Sequence, residues 1–132
     1  MTDVYDTSTN AKYTLACHCG AVQLRLHLPC GIQNPRRCNC SICRRKGSVS
    51  GAIAQSDLTI EKGHDVLSGY QFNTHVATHY FCSKCGVHTH HQRRSNSNEF
   101  GYNVACLIGL KLSDVENVMV SDGVSHPADR GL

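Results

Sequence analysis

The clearest alternation in the chain runs through Ala21–Leu28, where Val22, Leu24, Leu26 and Leu28 fall on one side and Gln23, Arg25 and His27 on the other. Side chains of an extended strand point alternately to its two faces, so this period of two predicts a half-buried β-strand. Tyr13–Ala16 lies close enough to pair with it as a hairpin, with Cys17-His18-Cys19-Gly20 at the tip. Pro29, Gly31 and Pro35 then mark a loop. Cys38 and Cys40 are expected on or beside a short strand, and Ser41–Lys46 as one helical turn closed by Gly47. Further short strands are expected at Ser50–Ala54, Leu58–Glu61, Val66–Phe72, Val76–Phe81, Val87–His91 and Phe100–Leu107. Asp114–Val118 reads as a brief helix capped by Ser113. No long segment carries the 3.6-residue period of an amphipathic helix, so a mainly β domain is predicted. The expected limits are a flexible tail over 1–12, one domain over 13–125 and a C-terminal tail over 126–132.

Composition changes this picture in one respect. At 132 residues the chain is one domain's worth, and 40% hydrophobic with 17% charged residues marks it as globular. Tryptophan is absent and aromatics make up only 6%, which leaves little bulky material for a core. Metal crosslinks would offset that shortage. The first residues lack the basic start and apolar run of a signal peptide, and no apolar stretch is long enough to span a bilayer. A cytoplasmic protein without membrane contact is expected, in a compartment where clustered thiols bind metal rather than pair as disulfides.

Seven of the nine cysteines fall in three tight groups: Cys17-x-Cys19, Cys38-x-Cys40-x-x-Cys43 and Cys82-x-x-Cys85. Seven thiols divide into one closed four-thiolate site and one three-thiolate site, the two arrangements zinc adopts in structural and catalytic roles. Cys82-Ser83-Lys84-Cys85-Gly86 is a metal knuckle, its glycine allowing the tight turn that aims both sulfurs at one point. Cys17 and Cys19, two apart on an extended chain, can do the same. Pairing these two knuckles would tie the first hairpin to strands some sixty residues later. Cys38, Cys40 and Cys43 would form the second site, and the following Arg44, Arg45 and Lys46 would offset its negative charge or hold an anionic substrate. Cys106, in an apolar stretch, is either core or the candidate fourth ligand that closes this second site; Cys30 is expected to be unliganded.

Two zinc ions and seven bound thiolates would cancel the formal charge of +3, which makes nucleic acid an unlikely partner. Nine histidines are many for this length, and five of them, His75, His79, His88, His90 and His91, lie in or near one region. His88 and His90 are expected to share a strand face near Cys85, which makes them the acid–base candidates.

The segments CHCGAV (17–22), CNCSICRRKG (38–47) and FCSKCGVHTH (81–90) resemble the glutathione-dependent formaldehyde-activating (GFA) family, which also includes centromere protein V. The resemblance covers about Tyr13 to Leu110. It implies a β-tent of short antiparallel sheets held by two zinc sites. By position, Cys17, Cys19, Cys82 and Cys85 match the family's structural zinc ligands, and Cys38, Cys40 and Cys43 the three ligands of its catalytic zinc. It further implies a carbon–sulfur lyase or synthase that combines glutathione, or a similar thiol, with formaldehyde or another small aldehyde. Arg44, Arg45, Arg93 and Arg94 are then the candidates for binding substrate carboxylates. The alternative expectation is a non-catalytic, zinc-stabilised binding module for a nucleic acid or protein, using Arg36, Arg37, Arg44, Arg45, Lys46, Arg93 and Arg94.

Overall fold

A computed structural model describes residues 12–72, 77–93, 96 and 98–125. Residues 1–11 and 126–132 of the tails expected at the two ends, together with His75 and Arg94, lie outside the described residues, while Lys12, expected in the first tail, belongs to a strand. The elements in chain order are β1 (Lys12–Ala16), β2 (Gln23–His27), β3 (Arg36–Cys38), α1 (Ser41–Lys46), β4 (Ser50–Ala54), β5 (Leu58–Lys62), β6 (Leu67–Tyr70), β7 (His79–Cys82), β8 (His88–Gln92), β9 (Glu99–Asn103) and β10 (Met119–Ser121). The expected mainly β architecture is borne out, with one α-helix among the described residues. None of the described helices is long and apolar enough to cross a membrane.

Two sheets result. The smaller has the order β1-β2-β5, and the larger runs β10-β3-β4-β9-β8-β7-β6. The first hairpin forms as its alternation requires, with Tyr13 opposite Leu26 and Leu15 opposite Leu24. Val22, Leu24, Leu26 and Leu28 are all buried. They pack with Tyr13 and Leu15 from β1, and with Ile53, Tyr102, Val104 and Leu107 from the larger sheet and the turn after it. An isolated bridge between Leu15 and Leu107 joins the sheets directly, and Ile108 N–H donates to Thr14 O at 2.9 Å.

Several edges differ from expectation for local reasons. The strand expected over Phe100–Leu107 ends at Asn103, whose Oδ1 accepts from Ala105 N–H at 3.3 Å and starts a 3₁₀ turn over Val104–Cys106. The same side chain donates from Nδ2 to His88 O at 2.8 Å, so one amide both caps the turn and pins β8. The brief helix expected over Asp114–Val118 is instead a 3₁₀ turn over Leu112–Val115 that buries Val115. Strand β10 was not expected. It is three residues long, lies parallel to β3 and leaves Met119 and Val120 exposed, so no alternation announces it.

The pairing of β7 with β8 contains a bulge. Tyr80 lies opposite His90 and Phe81 opposite His88, which leaves Thr89 as an extra residue on β8. A one-residue insertion sends the side chains on its two sides to opposite faces of the sheet. His88 and His90 therefore do not share a face, contrary to the regular-strand expectation. The His90 ring stacks on Tyr80 at 4.6 Å, whereas His88 lies 5.8 Å from the ring of His91.

At the centre of the larger sheet Gly51 lies across from Tyr102, whose ring is fully buried. A methyl group at position 51 would collide with that ring. Gly51→Ala is accordingly expected to cost about 1–3 kcal/mol, as overpacking of a filled core does. Urea denaturation should show a lower midpoint at unchanged slope. An unchanged midpoint would mean that Tyr102 has room to yield.

Candidate metal centres

The first knuckle is built by the hairpin itself. Gly20 N–H donates to Cys17 O and Cys17 N–H to Val22 O, each at 3.1 Å, and Gly20 adopts the left-handed φ of 79° that closes so tight a turn. The second knuckle repeats the scheme: Cys82 N–H donates to Val87 O at 3.1 Å, Gly86 N–H to Cys82 O at 2.7 Å, and Gly86 has φ 77°. Cys17 and Cys82 are buried at the ends of β1 and β7, in different sheets, and there the turns bring four sulfurs together. The ligand atoms of Cys17, Cys19, Cys82 and Cys85 all lie within 4.8 Å of one another. Cys19 Sγ is 3.7 Å from both Cys17 Sγ and Cys82 Sγ. A disulfide needs about 2.05 Å. A tetrahedral ion with metal–sulfur bonds of about 2.3 Å sets its sulfurs roughly 3.8 Å apart, so the spacing fits a zinc-like ion.

The electrostatics fit the same guest. Backbone N–H groups of Cys19 and Val87 hold the Cys85 thiol down at about 6. Burial raises Cys17, but the Val22 N–H, 3.3 Å from its sulfur, and the thiols of Cys82 and Cys19 outweigh it and the net shift is downward. Cys19 goes the other way, up to about 11. The Ala21 N–H favours its thiolate, yet desolvation and the sulfurs of Cys82, Cys17 and Cys85 prevail. Two thiolates form readily and further ones are opposed by their charge, a conflict that a divalent cation removes.

The second cluster sits where β3 meets α1. Cys38 ends the strand, Cys40 is the helix N-cap and Cys43 lies in the first turn. Cys43 N–H donates to Cys40 Sγ at 3.4 Å, and Gly47, with φ 65°, closes the helix through a 3.0 Å bond to Cys43 O. These three ligand atoms also lie within 4.8 Å of one another, and among the described residues no other histidine, cysteine or carboxylate joins them. Asn39, between the first two cysteines, accepts from Gly123 N–H at 2.7 Å and so fastens the segment after β10 beside the cluster. Hydrogen bonding to Cys40 pushes the Cys38 thiol up, and hydrogen bonding to Cys38 and Cys40 pushes Cys43 far up. The same charge conflict recurs here, and again a bound cation would relieve it.

Cys106 is placed away from this second cluster. Its thiol points to His88 O at 3.7 Å, and burial, followed by the nearby Cys17 and Cys85, pushes it up to about 11. It therefore lies beside the four-cysteine cluster and outside the group of Cys38, Cys40 and Cys43. Cys30 is exposed in its loop.

A cavity of about 250 Å³ lies against the three-cysteine cluster. Cys38, Cys40 and Cys43 form part of its wall, Ile42, Phe72 and Ala77 make an apolar side, and His79, His91, Arg36 and Arg93 supply polar groups. Neither acid–base candidate from the sequence, His88 or His90, lines it. The bulge at Thr89 turns His90 to the far face, where it is buried against Tyr80 and Phe100. Of the arginine candidates, Arg93 lines the cavity while Arg44 and Arg45 lie exposed on α1, Arg45 bonded to Ser41 O at 2.7 Å. Arg36 also lines the cavity, and the sequence did not place it there because β3 is too short to show which way its side chains point.

Lys46, at the end of α1, is half-buried. Its Nζ lies 3.1 Å from His79 Nδ1 and 3.2 Å from His88 Nε2. Burial lowers its pKa against the pull of Cys43, Cys40 and Cys38. Burial, with the Lys46 charge adding to it, depresses His88 to about 3. Burial alone depresses His90 to about 4.

A mainly β protein with four cysteines that could hold a metal ion and three more lining a cavity is the class these features define. The family model for the glutathione-dependent formaldehyde-activating enzyme matches residues 12–117, and the chain belongs to that family. A Rhodobacter sphaeroides protein of known crystal structure is 45% identical, superposes with a TM-score of 0.78, and matches over 82% of this chain and 99% of its own.

Two outcomes follow from the geometry. Cys82→Ser is expected to remove the ion of the four-cysteine cluster and with it most of the cooperative unfolding transition. Cys40→Ser should remove the other ion and leave the far-UV circular dichroism largely intact. Metal content per chain with thermal melts checks both, and equal damage from the two would show that the clusters share one structural role. For pH, His90 has a folded pKa near 4, below its unfolded value of about 6.5. The unfolded chain binds the extra proton between those values, so stability is full above about pH 6.5 and falls as pH drops toward about 4. His90→Gln should flatten that slope by up to about 1.4 kcal/mol per pH unit, measured by urea titrations across the window.

Proposed function

We propose that the protein is a zinc-dependent carbon–sulfur lyase or synthase, with two zinc ions per chain, that joins a glutathione-like thiol to formaldehyde or another small aldehyde and reverses that reaction. The observation that carries this reading is the cavity of about 250 Å³ walled by Cys38, Cys40 and Cys43. Family membership supports the thiol and the aldehyde as substrates. Cys17, Cys19, Cys82 and Cys85 would hold the structural zinc, and the three cavity cysteines the catalytic one. Zinc bound there would lower the pKa of a substrate thiol and present it as a thiolate at neutral pH.

The chain's own residues do the rest. Ile42, Phe72 and Ala77 keep one side of the cavity apolar, which strengthens every charge interaction inside it. Arg36 and Arg93 offer guanidinium groups for carboxylates, the geometry this side chain suits best. Arg36 lies on β3 and Arg93 just beyond β8, with β4 and β9 between them. Three strand spacings set their strands roughly 14 Å apart across the sheet, and the register sets the two residues four positions, roughly 13 Å, apart along it. A γ-glutamyl tripeptide thiol, with a carboxylate at each end and the sulfur in the middle, would be held from its two ends by long side chains so placed. Arg93 approaches Glu99 at 3.8 Å, a contact loose enough to yield to a substrate. The reducing cytoplasm, where such thiols are abundant, is the fitting compartment.

Zinc-loaded protein mixed with glutathione and formaldehyde should exchange free and hydroxymethylated thiol faster than buffer does, followed by exchange NMR. A rate equal to the uncatalysed one across several thiols would sink the proposal. Arg36→Ala and Arg93→Ala should each raise KM for glutathione about tenfold with kcat little changed, the loss of one charge-assisted contact. A thiol without carboxylates should be insensitive to both substitutions.

A further inference from the structure

We propose that His91 is the proton-carrying side chain of the cavity, and that Lys46 is a positioning residue that seats it through His79 and His88. The inference rests on the reading of the cavity as a thiol–aldehyde site, and it assigns a role to a histidine that the strand alternation had passed over.

His91 lies on β8 directly opposite Gly101 of β9 and, on its other side, opposite His79 of β7. The absence of a side chain at Gly101 is what makes room for the ring, because a Cβ there would collide with the imidazole. On the other side His79 stacks on it at 5.2 Å with the planes 20° apart, and the His88 ring lies 5.8 Å away. His91 and His79 both line the cavity with Cys38, Cys40 and Cys43. The Nδ1 atom of His91 is buried and has no hydrogen-bond partner among the described residues. A buried nitrogen left unpaired is costly, and such atoms persist where a ligand completes them.

The neighbouring histidines are held in defined tautomers. The carbonyl of Tyr80 can only accept, so His88 donates to it from Nδ1 at 3.1 Å and keeps the lone pair of Nε2 toward Lys46. An ammonium only donates. Lys46 therefore bonds that lone pair and also Nδ1 of His79, which leaves the proton of His79 on Nε2. The lysine stands at the end of the helix that carries Cys43, so this bond pair locks the cysteine element against the histidine face. The two rings it fixes are those packed on His91. Burial, aided by the Lys46 charge, keeps His91 neutral in the resting site.

In the addition, the carbon–sulfur bond forms as the π pair of the carbonyl moves onto oxygen. The proton given up by the thiol passes to His91 and from His91 to that oxygen, and nothing is oxidised or reduced. Cleavage is the same path reversed.

His91→Gln and Gly101→Ala test the catalytic half, the first removing the ring and the second displacing it. Both variants are expected to keep two metal ions per chain. In the cobalt-substituted protein both should keep the wild-type change in the sulfur-to-metal absorption band on adding glutathione, while turnover falls about 100-fold, the scale of a lost proton donor. Turnover within threefold of wild type in both would overturn the assignment. Loss of the thiol-induced band would also overturn it, by making His91 part of thiol or metal binding. The positioning half is read on the resting protein, by ¹⁵N NMR of the histidine side chains. Lys46→Met should move the His79 and His91 ring signals and lower kcat more than it changes KM. Unmoved His91 signals would refute it. A wild-type protein with neither turnover nor a thiol-induced band would fail the proposed function itself, and the NMR result would still decide the seating of His91.

Discussion

The convergence of four sulfurs from two sheets is the constraint on which the rest of this molecule depends. Cys17 and Cys19 come from the tip of the β1–β2 hairpin, Cys82 and Cys85 from the turn that joins β7 to β8. Between the sheets the core is a layer of leucines and valines with two buried tyrosines and no tryptophan. A core this lean, closed by an isolated bridge at Leu15 and Leu107, gains much from a crosslink at its rim. The backbone N–H groups of Cys19, Ala21, Val22 and Val87 are spent on the sulfurs, so the turns are shaped for thiolates rather than thiols.

The second cluster has a different relation to the fold. Its cysteines occupy a strand end, a helix cap and a first helical turn, a junction that the protein builds with local hydrogen bonds. It ties no two sheets together and faces a cavity instead. The same chemistry of crowded thiols thus serves a closed joint in one place and a surface open to ligands in the other. The difference lies in what surrounds each sulfur group, since the residue type is identical.

Much of the site was legible in the sequence because cysteine spacing is a local property. A C-x-C or C-x-x-C segment followed by glycine determines its own turn, so the cysteine groups could be read without knowing the fold. The hairpin and the helix Ser41–Lys46 were legible for the same reason, one from strict alternation and the other from its glycine stop. The partners of the cavity were not. His91 and Arg36 reach it through strand register, and register across β4, β9, β8 and β7 is a long-range property. Thr89 shows how sharply this limits inference: a single bulged residue takes His90 off the face of His88 and puts His91 there instead, beside His79. Cys106 is a second case, since its apolar setting was visible but its proximity to Cys17 and Cys85, rather than to Cys38, was not.

The sequence by itself determined the clustered thiols that could hold a metal, the mainly β class and the family, because these follow from residue types at short separations. Tertiary structure decided which side chains share the cavity, and with it which arginines and which histidines line it. Those outcomes depend on the faces that pleated strands present, and a one-residue shift in pairing reverses every face beyond it.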